Sequence, residues 1–421
     1  MKLKLLTTAA VAAFMTASAT FAEAADKLKI GFMATLEGTY TVLGEDGLRG
    51  FKVALEELNN KAGGRDIEVI IGATDASPDS AVRAARKLVE QDKVDIIIGP
   101  LSGSEGIALR DYSKTQPQVT FINGISGAQG TTYVNPSENF FRFNMDGAQW
   151  SAGLGSYVYN EKGYKTVATI GEDYSFIYTQ VFGFALEYCQ AGGEITERFW
   201  VPLGTKDFGS IIAALPDDVD AIYLGLGGGD AVNFLNQYQQ AGGEANLIGG
   251  TIMVDGTVLN SKGSAKKALI GVPSSGPQAD DWDNPNWKKF VKAYQDLFKP
   301  EDRFPSPALM ATGYYNATTA MASCMNEVGG DLSDGHKKFR SCLAGLELKN
   351  APNGPIKLDG NRQAIGTNFL TEVVENADGT LSNKLVKVIE NVNQTMGIDE
   401  AAFAKIGAPS RDVPACKKSY N

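Results

Sequence analysis

Val94-Asp95-Ile96-Ile97-Ile98-Gly99-Pro100-Leu101-Ser102-Gly103-Ser104-Glu105-Gly106 decides how the rest of the chain is read. Val94 to Ile98 is a short run dominated by β-branched residues, which predicts a strand buried on both faces. Gly99-Pro100 breaks it, and Ile107, Ala108, Leu109 and Tyr112 predict a helix beyond. A strand that ends in small, hydroxyl-rich residues and feeds a helix gathers free backbone N–H groups at one point. Open α/β sheets bind ligands there, outside the carboxyl ends of their strands, and a helix N-terminus favours an anionic group. The alternative is that the same residues form a turn that only reverses the chain.

Working outward, the same unit recurs. On the N-terminal side, Leu28 to Met33 reads as a strand and Asp46 to Asn59 as a helix, with Leu48, Phe51, Leu55 and Leu58 on its apolar face. Ile67 to Ile71 is a second strand, and Asp75-Ala76-Ser77-Pro78 supplies the cap and first-turn proline of the next helix. On the C-terminal side, Val119 to Ile122 is a strand followed by another small-residue loop, Asn123-Gly124-Ile125-Ser126-Gly127-Ala128. Near Phe140-Phe141-Arg142-Phe143 this run ends and the pattern restarts. Helices are expected at 150–159, 176–190, 207–215 and from Asp230 to Gln240, with strands at 166–170, 195–201, 221–226 and 246–248. Further helices are expected at 286–298, 306–328 and 335–343, then a hairpin at 356–373. Ala-Gly-Gly recurs at 62–64, 191–193 and 241–243, each time where glycine can cap a helix before a strand. Strands alternating with helices in two runs predict α/β architecture with parallel, doubly wound sheets in two lobes.

Length and charge narrow the function. The 421 residues suffice for two domains or more, and 43% hydrophobic with 21% charged residues is an ordinary globular composition. A net charge of −10 argues against nucleic acid as a partner. The first 25 residues read as a cleaved secretory signal: Lys2 and Lys4, an apolar core from Leu5 to Phe14, and the small-x-small site Ala22-Glu23-Ala24. No cysteine adjoins that site, so no lipid anchor is expected, and no later stretch has the ~18 apolar residues of a membrane span. Export makes the four cysteines candidates for disulfides. Cys324 and Cys342 are expected to pair across the Gly329-Gly330-Asp331 loop, worth roughly 3 kcal/mol in the chain-entropy picture. Cys189 and Cys416 form either a second bridge or two buried thiols. With one histidine and no CxxC spacing a zinc site is not expected, and His336 reads as a solvated residue on a helix surface.

Catalytic machinery is not evident. Gly225-Leu226-Gly227-Gly228-Gly229-Asp230 ends a strand and opens a helix, but Asp230 stands where a dinucleotide fingerprint needs its last glycine. There is no P-loop, no GxSxG elbow and no nucleophile–base pair, so no cofactor and no enzymatic activity are expected. Tyr174 and Phe176 follow a strand end at Gly171-Glu172-Asp173 and are candidates to line a cleft; Trp200 reads as core.

In order and spacing these features resemble the periplasmic solute-binding proteins of ABC importers, of leucine/isoleucine/valine-binding type. The likeness rests on Lys29-Ile30-Gly31 with the helix Gly47–Leu58, on Asp75 before Ser77-Pro78, on Ile98 to Ser104, and on Lys206-Asp207-Phe208, and it covers about residues 27–390. It implies the type I fold: two lobes joined by three crossings, near Arg142, near Pro273 and within 352–370. Lobe 1 would comprise 26–143 and 274–365, lobe 2 would comprise 144–273 and 366–390, and 391–421 would pack on the surface. The resemblance places a ligand carboxylate at Ser102-Gly103-Ser104 and Ser126-Gly127, with second-lobe contacts near Tyr174, Phe176, Gly228 and Asp230. An acid for a ligand ammonium would be Asp255, while Ile252-Met253 would suit aromatic or aliphatic carboxylates. The implied role is a monomeric periplasmic receptor that hands a small solute to a membrane permease. The competing readings are an exported α/β enzyme and a soluble sensor subunit.

Overall fold

Strands Ile96–Ile98 and Thr120–Ile122 are fully buried, as their β-branched and aromatic residues suit strands covered on both faces. They belong to the first of two sheets in a computed structural model that describes residues 27–420, so the signal segment lies outside the described residues. In the first sheet the strands stand in the order Arg65–Thr74, Leu28–Thr35, Ile96–Ile98, Thr120–Ile122, Phe140–Phe141, all parallel. Lys61–Ala62 adds a short antiparallel edge. The second sheet repeats the pattern with Glu194–Val201, Thr166–Glu172, Ala221–Gly225, Asn246–Gly249 and Pro273–Gly276 in parallel. Two long antiparallel strands, Ala364–Glu375 and Leu381–Val392, extend it. Among the parallel strands of each sheet, the first in sequence lies between the second and the third. Each sheet therefore has a topological switch point beside its first strand, where neighbouring loops part to opposite faces and leave a crevice.

The chain passes from the first sheet to the second after Phe141, and returns after Gly276 to helices Pro285–Leu297 and Leu309–Glu327, which pack on the first-lobe helix Thr41–Glu57. It crosses again near Gln363, which bridges Arg142. These crossings are knitted by a buried polar cluster. Arg142 is fully buried and donates to Gln363, to the Ala128 carbonyl (2.7 Å) and to Thr132 (2.7 Å), with Asp146 at 3.7 Å. Burial pulls its guanidinium down to about 10, against the opposing pull of Asp146.

Several local expectations are refined. The helix expected at 150–159 is two pieces, Gly147–Trp150 and Leu154–Asn160, divided at Gly153, whose φ of 85° only glycine adopts readily. His336 is not a solvated surface group. It is 5% exposed, its Nδ1 lies 2.9 Å from the Thr120 hydroxyl, and burial, aided by Arg340, lowers its pKa to about 4. The reason is tertiary: the segment before helix Lys337–Gly345 docks on the N-terminal end of strand Thr120–Ile122 in the first sheet, which no local pattern announces. Both disulfides, Cys324–Cys342 and Cys189–Cys416, are formed. The segment after 391 is anchored as well as superficial. Gln394 reaches Asp146 (2.8 Å) inside the hinge cluster, and Phe403 is buried against Tyr133 and Phe182.

Candidate ligand-binding cleft

The two switch points face each other. From the first lobe, Ile96–Ile98 delivers Ser102 as the N-cap of helix Gly103–Ser113. The Ser102 hydroxyl accepts the Glu105 amide (3.3 Å) and donates to the Ala76 carbonyl (2.8 Å), while the Glu105 carboxylate accepts the Ser102 amide (2.9 Å). This capping box holds the loop in place and leaves the amides of Gly103 and Ser104 as the first of the helix, where intrahelical acceptors are lacking. The Ser102 side chain is thus committed to the turn. The anion-seeking groups are the backbone amides beyond it.

From the second lobe, Phe176 inserts against both small-residue loops. A Cβ on Gly103 would lie 2.8 Å from the Phe176 Cβ, and one on Gly127 would lie 2.8 Å from its ring, so both positions must be glycine for the lobes to approach this closely. Trp150 meets Phe176 edge to face with ring centroids 5.5 Å apart. The cavity left between the lobes is about 20 Å³, lined by apolar side chains such as Leu101, Ile125, Ile252 and Met310 with Tyr40 and Tyr174, and, among the described residues, by no charged side chain. A cavity that binds benzene is about 150 Å³, so a solute enters only as the lobes part.

Beside that cavity the lobes are latched. Thr39 donates to Asp230 (2.8 Å), which also accepts the Gly204 amide (2.7 Å). Thr39 and Tyr40 press on Gly228, where a Cβ would lie 2.6 Å from the Thr39 carbonyl oxygen. Ser104 and Ser175 share a hydroxyl contact of 3.0 Å, and the Gln129 amide donates to Thr179 (3.1 Å). Beneath them Tyr40 donates to the carboxylate of Glu172, whose other oxygen accepts the Gly227 amide (3.1 Å), and the Tyr40 and Tyr174 hydroxyls are 2.9 Å apart. Glu172 is fully buried with no cation beside it among the described residues. Burial, reinforced by Asp230, holds its carboxyl well above the usual range. Burial likewise raises Tyr40 and Tyr174.

Of the residues singled out in the sequence, Ser102, Gly103, Gly127, Tyr174 and Phe176 line the cavity. Ser104, Gly228 and Asp230 carry the contacts between lobes next to it. Ser126 is in the loop, but its hydroxyl is turned onto the helix: a Cβ on Gly106 would lie 1.9 Å from it. Asp255 lies elsewhere. It caps helix Gly256–Leu259, accepts the Leu309 amide (3.2 Å) and lines a separate cavity, because the turn after Gly249 directs Ile252 into the cleft and Asp255 away from it. Tyr40, Trp150 and Glu172 complete the site. The available signal for Glu172 was an acid at the carboxyl end of the strand that forms the second switch point.

Comparison with known proteins agrees with this geometry. The family model described as periplasmic binding protein matches residues 27–380. A Leu/Ile/Val-binding protein homolog of Brucella melitensis is 25% identical over 393 residues, covering 92% of this chain and 97% of its own. A leucine-, isoleucine-, valine-, threonine-, and alanine-binding protein of Pseudomonas aeruginosa is 24% identical, covering 74% and 81%. An ABC-transporter solute-binding protein of Rhodopseudomonas palustris, solved with 3,4-dihydroxybenzoic acid, superposes with a TM-score of 0.78 at 26% identity, covering 87% of this chain and 98% of that one. Two doubly wound lobes closing on facing switch points, over a match that spans most of the chain, make it a member of the periplasmic binding protein family, a solute-binding protein of the ABC-transporter kind.

Proposed function

We propose that this protein is the exported, periplasmic receptor of an ABC importer, and that its solute is a small carboxylate with a flat apolar body. The composition of the cleft cavity carries the reading. Aromatic and aliphatic side chains surround the first amides of helix Gly103–Ser113, Tyr40 and Tyr174 are the polar groups opposite, and no charged side chain is present. The carboxylate sits on the Gly103, Ser104 and Gly127 backbone, and the apolar body lies against Phe176, Trp150 and Ile252. An ammonium at the position of Ile252 would be desolvated without a partner, which is costly. The dihydroxybenzoate bound by the Rhodopseudomonas palustris relative supports an aromatic solute.

One observation favours a second reading, an apolar amino acid. The Glu172 carboxylate lies directly behind Tyr40 and Tyr174, where an ammonium displacing the Tyr40 hydroxyl would find a counter-charge. The names of the Brucella and Pseudomonas relatives support this alternative. In either case the solute stabilises the closed form by touching both lobes, and the permease recognises that form.

A thermal-shift panel on refolded protein tests both. A ligand at 100 times its dissociation constant adds about 2.7 kcal/mol of stability. A shift with benzoate and hydroxybenzoates supports the first reading, and a shift confined to leucine, isoleucine or valine selects the second. Silence toward every carboxylate, or turnover of a bound one, overturns the receptor reading.

A further inference from the structure

We infer a second ligand site, for a small protonated primary amine, in the cavity of about 380 Å³ on the flank of the cleft. Thr251 and Leu309 line this cavity while their neighbours Ile252 and Met310 line the cleft, so the two lie back to back. Three carboxylates surround it, Asp255, Asp280 and Asp281, and among the described residues no lysine, arginine or histidine contributes to its wall. Asp280 accepts the Asn383 amide (2.8 Å) and Asp281 the Leu385 amide (2.7 Å), each through one oxygen. The second oxygen of each has no hydrogen-bond partner among the described residues. Burial raises Asp280 to about 6, with Asp255 and Asp281 adding to the effect, as expected where negative charge is gathered without a counter-charge.

An independent observation comes from the sheet floor. Ser274 is 0% exposed, lines the cavity, and its hydroxyl has no hydrogen-bond partner among the described residues. Its neighbour Ser275 turns the opposite way to donate to the Trp150 carbonyl (2.6 Å), so the pleat directs Ser274 to the cavity side together with its ladder partner Thr371. The Asn383 side-chain carbonyl and the Ser306 hydroxyl, from other walls of the cavity, are buried and unpartnered too. Such unpaired groups are rare in folded proteins and costly. Acceptors on several sides, carboxylates among them, match the three donors of an alkylammonium, and Val254, Leu259 and Leu381 offer surface to its alkyl stem.

Calorimetric titration of the refolded full chain with butylamine at fixed ionic strength tests this, with butanol as the uncharged counterpart and calcium chloride as the inorganic cation. The expected result is saturable one-to-one binding of butylamine but not of butanol. The D280N/D281N pair should weaken it at least tenfold and Ser274→Ala several-fold. An unchanged melting temperature of each variant, and wild-type binding by Asp217→Asn, which removes an exposed carboxylate outside both cavities, separate a lost site from a misfolded protein or a mere change of net charge. Absence of saturable butylamine binding, equal binding of butanol, undiminished binding by D280N/D281N, or displacement by calcium at equal concentration each overturns the proposal. The carboxylate panel reads the other cavity, so failure there is distinguishable from failure here.

Discussion

Tyr40 of the first lobe donates its phenol to the carboxylate of Glu172 in the second, 132 residues away, and both groups are fully buried at the contact. Parting the lobes would return Glu172 to water, so closure and its proton are linked. Because the closed state raises the Glu172 pKa, that state binds more protons, and closure weakens as pH rises from the ordinary carboxyl range toward the raised value. Ligand affinity should therefore be higher at mildly acidic than at mildly alkaline pH. Glu172→Gln should flatten that dependence, and a titration of affinity against pH for both proteins checks it.

Gly103→Ala should obstruct closure more than it disturbs its own lobe, because its new methyl would lie 2.8 Å from the Phe176 Cβ when the lobes meet, against 3.1 Å from the Ala128 Cβ beside it in the first lobe. A loss of at least tenfold in solute affinity is expected, with the melting temperature of the unliganded protein nearly unchanged. Undiminished affinity would mean that the lobes close in some other way.

Asp46, on helix Thr41–Glu57, is raised to about 7 by burial first and by Asp255 second. Its folded pKa exceeds the unfolded value, so its contribution to stability is most favourable below about pH 4 and is lost as pH rises through 7. The shift corresponds to up to about 4 kcal/mol. Asp46→Asn keeps an acceptor for the Ala311 amide and should remove this slope. Urea midpoints for the two proteins at either end of that range measure it.

His336 carries the opposite sign. Its folded pKa of about 4 lies below the ordinary value of 6.5, so the protein loses stability as pH falls between the two. As the chain contains one histidine, its imidazole resonance is unambiguous. An NMR titration should find it neutral from pH 8 down to about 5.

Arg142→Ala should cost about 3–5 kcal/mol, because it leaves Asp146 buried and uncompensated in the hinge. Replacing both residues with apolar ones should recover part of that loss. A double-mutant cycle read by denaturant unfolding gives the coupling.

What the sequence determined by itself is what short range decides. The β-branched run at 94–98, the serine cap with Glu105 three residues on, and alternating strand and helix periods all act within about ten residues. They specify α/β units and put backbone amides at the start of helix Gly103–Ser113. Cys324 and Cys342, 18 residues apart, belong to the same class. What only the tertiary structure decided is which units meet. Thr39 finds Asp230 across 191 residues, and Cys189 finds Cys416 across 227. The burial of His336 and the turning of Asp255 away from the cleft follow from docking between elements. Periodicity tells which face of an element is covered, but the covering element is chosen by the crossings of the chain and the closure of the lobes. For that reason Glu172, a strand-end acid among others in the sequence, becomes a buried group of the site only when Tyr40 is brought against it.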